Sequence, residues 1–117
     1  MNNRWIYHLS RRADWERARE SGSYPGSAED AVDGFLHFST ASQVGESARK
    51  HRAGERDLIL LEVDANALGN ALRWEPSRGG QLFPHLYGPL PAAAVAKAVE
   101  LPLGPDGNHV FPDLKDE

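Results

Sequence analysis

Leu58-Ile59-Leu60-Leu61-Glu62-Val63, bounded by Asp57 and Asp64, is the clearest strand in the chain. A near-continuous apolar run between acidic residues reads as a strand covered on both faces, so 57–64 is expected to be the central strand. Toward the N-terminus, Thr40 followed by Gln43 has the form of a capping box and opens a helix over 41–52. Before it, Gly34-Phe35-Leu36-His37-Phe38-Ser39 reads as a short buried strand. The small, acidic segment 27–33 reads as a loop, and Ser23-Tyr24-Pro25-Gly26 as a turn. Trp15, Ala18 and Arg19 at helical spacing, stopped by Gly22, predict a helix over 12–21. The aromatic and aliphatic run from Trp5 to Leu9 predicts a first strand over 4–10.

Toward the C-terminus, Asp64 can cap a single turn reaching Leu68. A short strand is expected over 71–75, then a loop at Pro76-Ser77-Arg78-Gly79-Gly80. Leu82 to Tyr87 is extended, and Pro84 within it argues for an edge strand or a bulge. One helical turn at 91–93 and a strand over 94–101 follow. Alternation of Val95, Lys97, Val99 and Leu101 with small residues carries that last strand. The whole reads as a small α+β domain, residues 1–117, with a split, mainly antiparallel sheet and two flanking helices.

A chain of 117 residues and 12.9 kDa fits one core. Thirteen basic against 17 acidic side chains give a net charge of -4, which offers no electrostatic reason to coat a phosphate backbone. No cysteine is present, excluding disulfides, thiolate nucleophiles and Cys-based metal sites. No apolar run has the length of a membrane span or the form of a signal peptide, so a cytoplasmic protein is expected. Glycine-rich phosphate loops and the Gly-x-Ser-x-Gly elbow are also missing from the sequence.

Three strand segments share one pattern: Ile6-x-His8-x-Ser10, Phe35-x-His37-x-Ser39 and Phe83-x-His85-x-Tyr87. Period-two alternation puts an apolar residue, an imidazole and a hydroxyl on one face of each, with the hydroxyl placed to orient the ring. A lone strand histidine is ordinarily a satisfied, half-buried residue. Three in the same setting point to a shared site, because imidazole titrates nearest neutrality. The rings are expected to converge on a pocket opening near Gly79 and Gly80. His51 and His109 look ordinary, and Trp5, Trp15 and Trp74 are expected to pack the core. Glu75, at a strand end before the glycine loop, could reach a ligand. A metal would need all three strand histidines without compact ligand spacing, so none is expected.

The ordered set Ile6-Tyr7-His8-Leu9, Trp15, Gly34-Phe35-Leu36-His37-Phe38-Ser39-Thr40, Trp74-Glu75 and Phe83-Pro84-His85-Leu86-Tyr87-Gly88-Pro89 resembles the bacterial DUF952 family over about residues 4–103. That family looks related to the ADP-ribosyltransferase-like superfamily, whose members hold NAD in a cleft of a split sheet. The resemblance implies NAD as a substrate rather than a permanently bound cofactor, with ADP-ribosyl transfer or NAD glycohydrolysis as the reaction. It makes His8, Ser39 and Tyr87 the candidate ligand-binding residues: His8 for a ribose hydroxyl, Tyr87 for stacking on nicotinamide. Glu75, His37 and His85 are the candidate catalytic residues. Glu100 is a second claimant for the catalytic glutamate, and neither glutamate stands in the superfamily's Gln/Glu-x-Glu motif. A small nucleotide-like molecule is the expected partner. The alternative is a non-catalytic binding or interaction module on the same fold.

Overall fold

A computed structural model describes residues 4–115. Its elements in chain order are β1 (Trp5–Arg11), α1 (Arg12–Ser21), β2 (Ser23–Tyr24), α2 (Ala28–Asp33), β3 (Leu36–His37), α3 (Val44–His51), β4 (Leu58–Asp64), β5 (Leu72–Pro76), β6 (Leu82–Leu86), β7 (Leu90–Pro91) and β8 (Val95–Leu101). Two short helical turns join β4 to β5, and one each joins β5 to β6 and β7 to β8. No helix among the described residues is long and apolar enough to cross a membrane.

β4 lies between β1 and β8 in an antiparallel sheet, and all of its residues but Asp64 are buried. Side chains alternate along it with period two. Ile59, Leu61 and Val63 enter a larger core with Ile6, Trp15, Tyr24, Phe38 and Leu86, while Leu58 and Leu60 enter a second with Tyr7, Val44 and Leu101. Pairing of Ile6 with Val63 and of His8 with Leu61 then carries His8 onto the face of the larger core.

A second antiparallel sheet has the order β3-β6-β5. It meets the first at one residue pair, where Tyr7 and Ser39 exchange both backbone hydrogen bonds at 2.8 Å. The next such pair in an antiparallel ladder would be Leu9 with His37. There the strands part instead, and the His8 imidazole Nδ1 reaches the His37 carbonyl at 2.6 Å. A side chain thus replaces a ladder donor where the two sheets diverge. β2 and β7 form a separate two-stranded pair.

Several expectations need correction. Segment 27–33 is helical, not a loop, so three helices flank the sheets rather than two. Ser27 caps α2 with a complete capping box to Asp30, and Gly34 ends it in the left-handed region. The strand expected over 34–39 shrinks to Leu36–His37 plus the Ser39 bridge. α3 begins at Val44 rather than 41, because only half of the expected box forms: the Gln43 side chain accepts from Thr40 N–H, while the Thr40 hydroxyl pairs with Ser42. Pro84 sits on β6, the middle strand of its sheet. It is tolerated because its N–H-less side faces β3, whose regular pairing stops at His37, and its carbonyl still accepts from Phe38 N–H at 3.0 Å. Trp15 is buried, but Trp74 is 37% exposed and packs no core.

Gly26 adopts φ +95°, and a Cβ there would meet Asp30 Cβ at 2.9 Å. Gly79 has φ +67° with nothing within 4 Å. Gly79→Ala is expected to cost about 1 kcal/mol, the left-handed penalty alone. Gly26→Ala should cost distinctly more, because it also displaces Asp30. Urea unfolding of the two variants checks the difference.

Candidate functional site

A cleft of about 270 Å³ lies against the divergence of β1 and β3, with His8, His37 and His85 all in its lining. Their placement follows from register. His37 and His85 are directly paired across β3 and β6, with ring centroids 5.7 Å apart, and His8 reaches the His37 carbonyl across the gap.

Asp30 is buried between two of the rings, bonded to His37 and with Oδ2 3.7 Å from His8 Nε2. One carboxylate oxygen, Oδ2, accepts from Ser27 N–H at 2.7 Å and from the Ser27 hydroxyl at 2.9 Å. The other, Oδ1, accepts from His37 N–H at 3.1 Å and from His37 Nδ1 at 2.6 Å. Burial favours the protonated acid, but the His37 hydrogen bond, the neighbouring His8 and the backbone donors outweigh it and hold Asp30 well below the usual carboxylate range. His37 Nε2 meets Asp33 Oδ2 at 2.8 Å. With a carboxylate on each ring nitrogen, and the Asp30 bond the leading cause, its pKa is raised, which favours the imidazolium.

His8 is the opposite case. A carbonyl only accepts, so the 2.6 Å contact fixes the proton on Nδ1. Nε2 lies 2.8 Å from the Tyr24 hydroxyl and accepts from it in the neutral ring. Burial lowers the His8 pKa, against the pull of Asp30 and the His37 carbonyl. Both His8 nitrogens are therefore spent inside the protein.

His85 Nδ1 donates to Glu75 Oε1 at 2.8 Å, and the same oxygen accepts from the Tyr87 hydroxyl at 2.8 Å. These bonds, His85 first, hold the Glu75 carboxylate below its ordinary range, and Glu75 raises the Tyr87 phenol. The Phe35 ring stacks on His85 at 4.1 Å. His85 Nε2 has no hydrogen-bond partner among the described residues. No buried side-chain nitrogen or oxygen there lacks one, so Nε2 keeps contact with solvent, and His85 lines the cleft.

The other residues singled out from sequence lie as follows. Ser39 lines the cleft, its hydroxyl paired with Ser47 at 2.9 Å. Tyr87 and Glu75 stand behind His85 outside the lining, with Arg73 over the Tyr87 ring. Glu100, on β8, is 73% exposed and pairs with Arg12 at 3.0 Å, far from the cleft in the sheet order. Hydroxyls do not orient the histidines of their own strands directly. Ser10 bonds Arg11, Ser39 bonds Ser47, and Tyr87 acts through Glu75. Ser77 lines the cleft while Gly79 and Gly80 do not, so the opening faces the start of that loop. His51 is also in the lining, and His109 fastens the C-terminal segment to the Glu55 carbonyl.

Sequence reasoning missed Asp30, Asp33, Tyr24 and Arg52, and gave Phe35 only as the apolar residue on the His37 face, not as the ring stacked on His85. The Ser27-x-x-Asp30 capping box with Gly34 beyond it was the available signal for the first two. Arg52, in the cleft wall, is held with Arg11 by Glu29 and Glu55. Among lining groups, Glu29, Asp30 and Asp33 outnumber the cations His37 and Arg52, so the cleft suits a neutral or cationic group better than an anion. No group of three or more His, Asp or Glu among the described residues has metal-holding geometry.

Two antiparallel sheets that part beside β1, with a histidine cleft at the divergence, define a small α+β protein. The family described as "Protein of unknown function (DUF952)" matches residues 9–98, and the chain belongs to that family. The crystal structure of protein CC0527 from Caulobacter crescentus is similar, with 44% identity, TM-score 0.88 and coverage of 91% of this chain and 93% of that one. The solution structure of the same protein gives 45% identity, TM-score 0.80 and coverage of 89% and 90%. No curated protein matches.

Asp30→Ala is expected to destabilise the fold by about 3 kcal/mol or more, because it leaves the His37 imidazolium and the Ser27 donors unmatched. The pH dependence has a definite sign. The raised folded pKa of His37 makes its stabilisation full below about pH 6.5 and lost as pH rises through the folded value. The depressed Asp30 pKa makes its share present above about pH 3.9 and lost in acid. The melting-temperature gap between wild type and His37→Gln should thus be widest between those values. With the His37 side chain 43% exposed, the gap corresponds to about 1 kcal/mol, or roughly 4 °C. Thermal melts at pH 5.5 and 9 test the narrowing.

Proposed function

We propose that the protein binds a nucleotide-like small molecule of the NAD class in this cleft, on an ADP-ribosyltransferase-like framework, and cleaves or transfers its ribosyl group. The observation that carries this reading is the position of the cleft: it opens beside the β1 histidine where the two sheets part. Its volume of about 270 Å³ suits a nucleoside-sized group rather than a whole dinucleotide. The excess of carboxylates in the lining favours the positively charged nicotinamide ring, leaving the phosphates toward solvent. His8 supports the site differently from the role that resemblance implied, by holding the divergence open rather than by offering a free nitrogen to ribose.

A second reading, binding without turnover, is favoured by the state of the glutamates. Glu75 spends Oε1 on His85 and Tyr87, Glu29 is paired with Arg11 and Arg52, and Glu100 faces Arg12. None is a free carboxylate aimed into the cleft.

Calorimetric titration distinguishes the outcomes. NAD+ is expected to bind with Kd below about 1 mM and roughly fivefold tighter than NADH, whose nicotinamide carries no charge; one unit charge in this setting is worth about 1 kcal/mol. No NAD+ binding at millimolar concentration removes the proposal. Binding without nicotinamide release favours the second reading.

A further inference from the structure

We infer that His85 is the proton acceptor of the cleft, and that Glu75 acts through it rather than on the ligand. This rests on the nucleotide-cleft reading above and deepens it by assigning the step that a free glutamate would otherwise take. The assignment follows from geometry. Glu75 Oε1 accepts from His85 Nδ1 at 2.8 Å, which puts the proton of the neutral ring on Nδ1 and the lone pair on Nε2. Tyr87 donates to the same oxygen at 2.8 Å, fixing the carboxylate from behind, and Phe35 stacks on the ring face at 4.1 Å. The imidazole is thereby held in one tautomer and one orientation, with Nε2 as its open nitrogen. Of the three strand histidines, His8 has both nitrogens engaged internally and His37 has a carboxylate on each. Only His85 offers a lone pair to the cleft.

The step balances without a metal or redox partner. Water oxygen bonds to the ribosyl anomeric carbon of NAD+. The carbon–nitrogen bond to nicotinamide breaks, its electron pair returning to the ring nitrogen and cancelling the positive charge. The proton lost by water goes to His85 Nε2 and then to solvent. The products are ADP-ribose, nicotinamide and one proton. The leaving group departs neutral and needs no acid, while positive charge building on the sugar meets a lining with excess carboxylate.

The test uses the full chain and NAD+, with nicotinamide release followed by chromatography and NAD+ affinity by calorimetry. His85→Gln, which keeps a donor for Glu75 but removes the base, is expected to lower kcat at least a hundredfold while Kd changes less than threefold. His85→Ala should lose the same activity and recover at least tenfold with added imidazole, which a structural role for the ring would not produce. Glu75→Gln, a positioning change, should lower kcat about tenfold at unchanged KM. It decides the matter if circular dichroism shows the His85 variants unfolded, in which case a change under threefold overturns the inference. His85→Gln retaining kcat within threefold also overturns it and leaves the NAD reading intact. Wild-type binding without nicotinamide release overturns it while leaving binding intact. No NAD+ binding at millimolar concentration overturns both.

Discussion

Asp30 is a buried carboxylate, and a buried charge is tolerated only when donors and an opposite charge surround it. Four donors do so here: the Ser27 amide and hydroxyl, and the His37 amide and imidazolium. Each fixes a different piece of the molecule. Ser27 starts α2, the His37 amide places β3, and the His37 ring stands paired across from His85. Gly26 belongs to the same arrangement, because its missing Cβ is the space Asp30 occupies. The site and the local fold therefore share one electrostatic origin.

The divergence of the sheets has its own consequence. β1 pairs fully with β4 along one edge but holds the second sheet at only Tyr7 and Ser39. Where the ladder stops, His8 supplies a side-chain donor to the His37 carbonyl, so the opening is braced rather than frayed. The bracing requires the Nδ1–H tautomer, which Tyr24 supports from the other nitrogen. The three histidines consequently differ in role despite their common sequence pattern: one braces, one carries fixed charge, and one keeps an open lone pair.

Much of this was legible where a local pattern carried it. β4 was readable because six consecutive apolar or buried positions left no helical period, and α1 because Trp15 and Ala18 stand at helical spacing before Gly22. The period-two rule put His8 on the face with Ile6, as the pairing with β4 shows. α2 was not readable from periodicity: it is six residues of small and acidic character with no apolar stripe, and only its capping residues mark it. Asp30 was missed for the same reason and for another, since acidic residues are seldom buried and sequence does not show the donors that make burial tolerable. The middle position of β6 was hidden because Pro84 argued for an edge. The compensation lies in β3, whose pairing ends where the missing donor would have been needed.

The measurement that bears most directly on this account is a long-range proton–nitrogen correlation of the histidine rings at neutral pH. The account predicts His37 protonated on both nitrogens, and His8 carrying its proton on Nδ1 with Nε2 bare. A neutral His37, or His8 protonated on Nε2 alone, would contradict it, because Asp30 would then lack its counter-charge and the divergence of the sheets its brace.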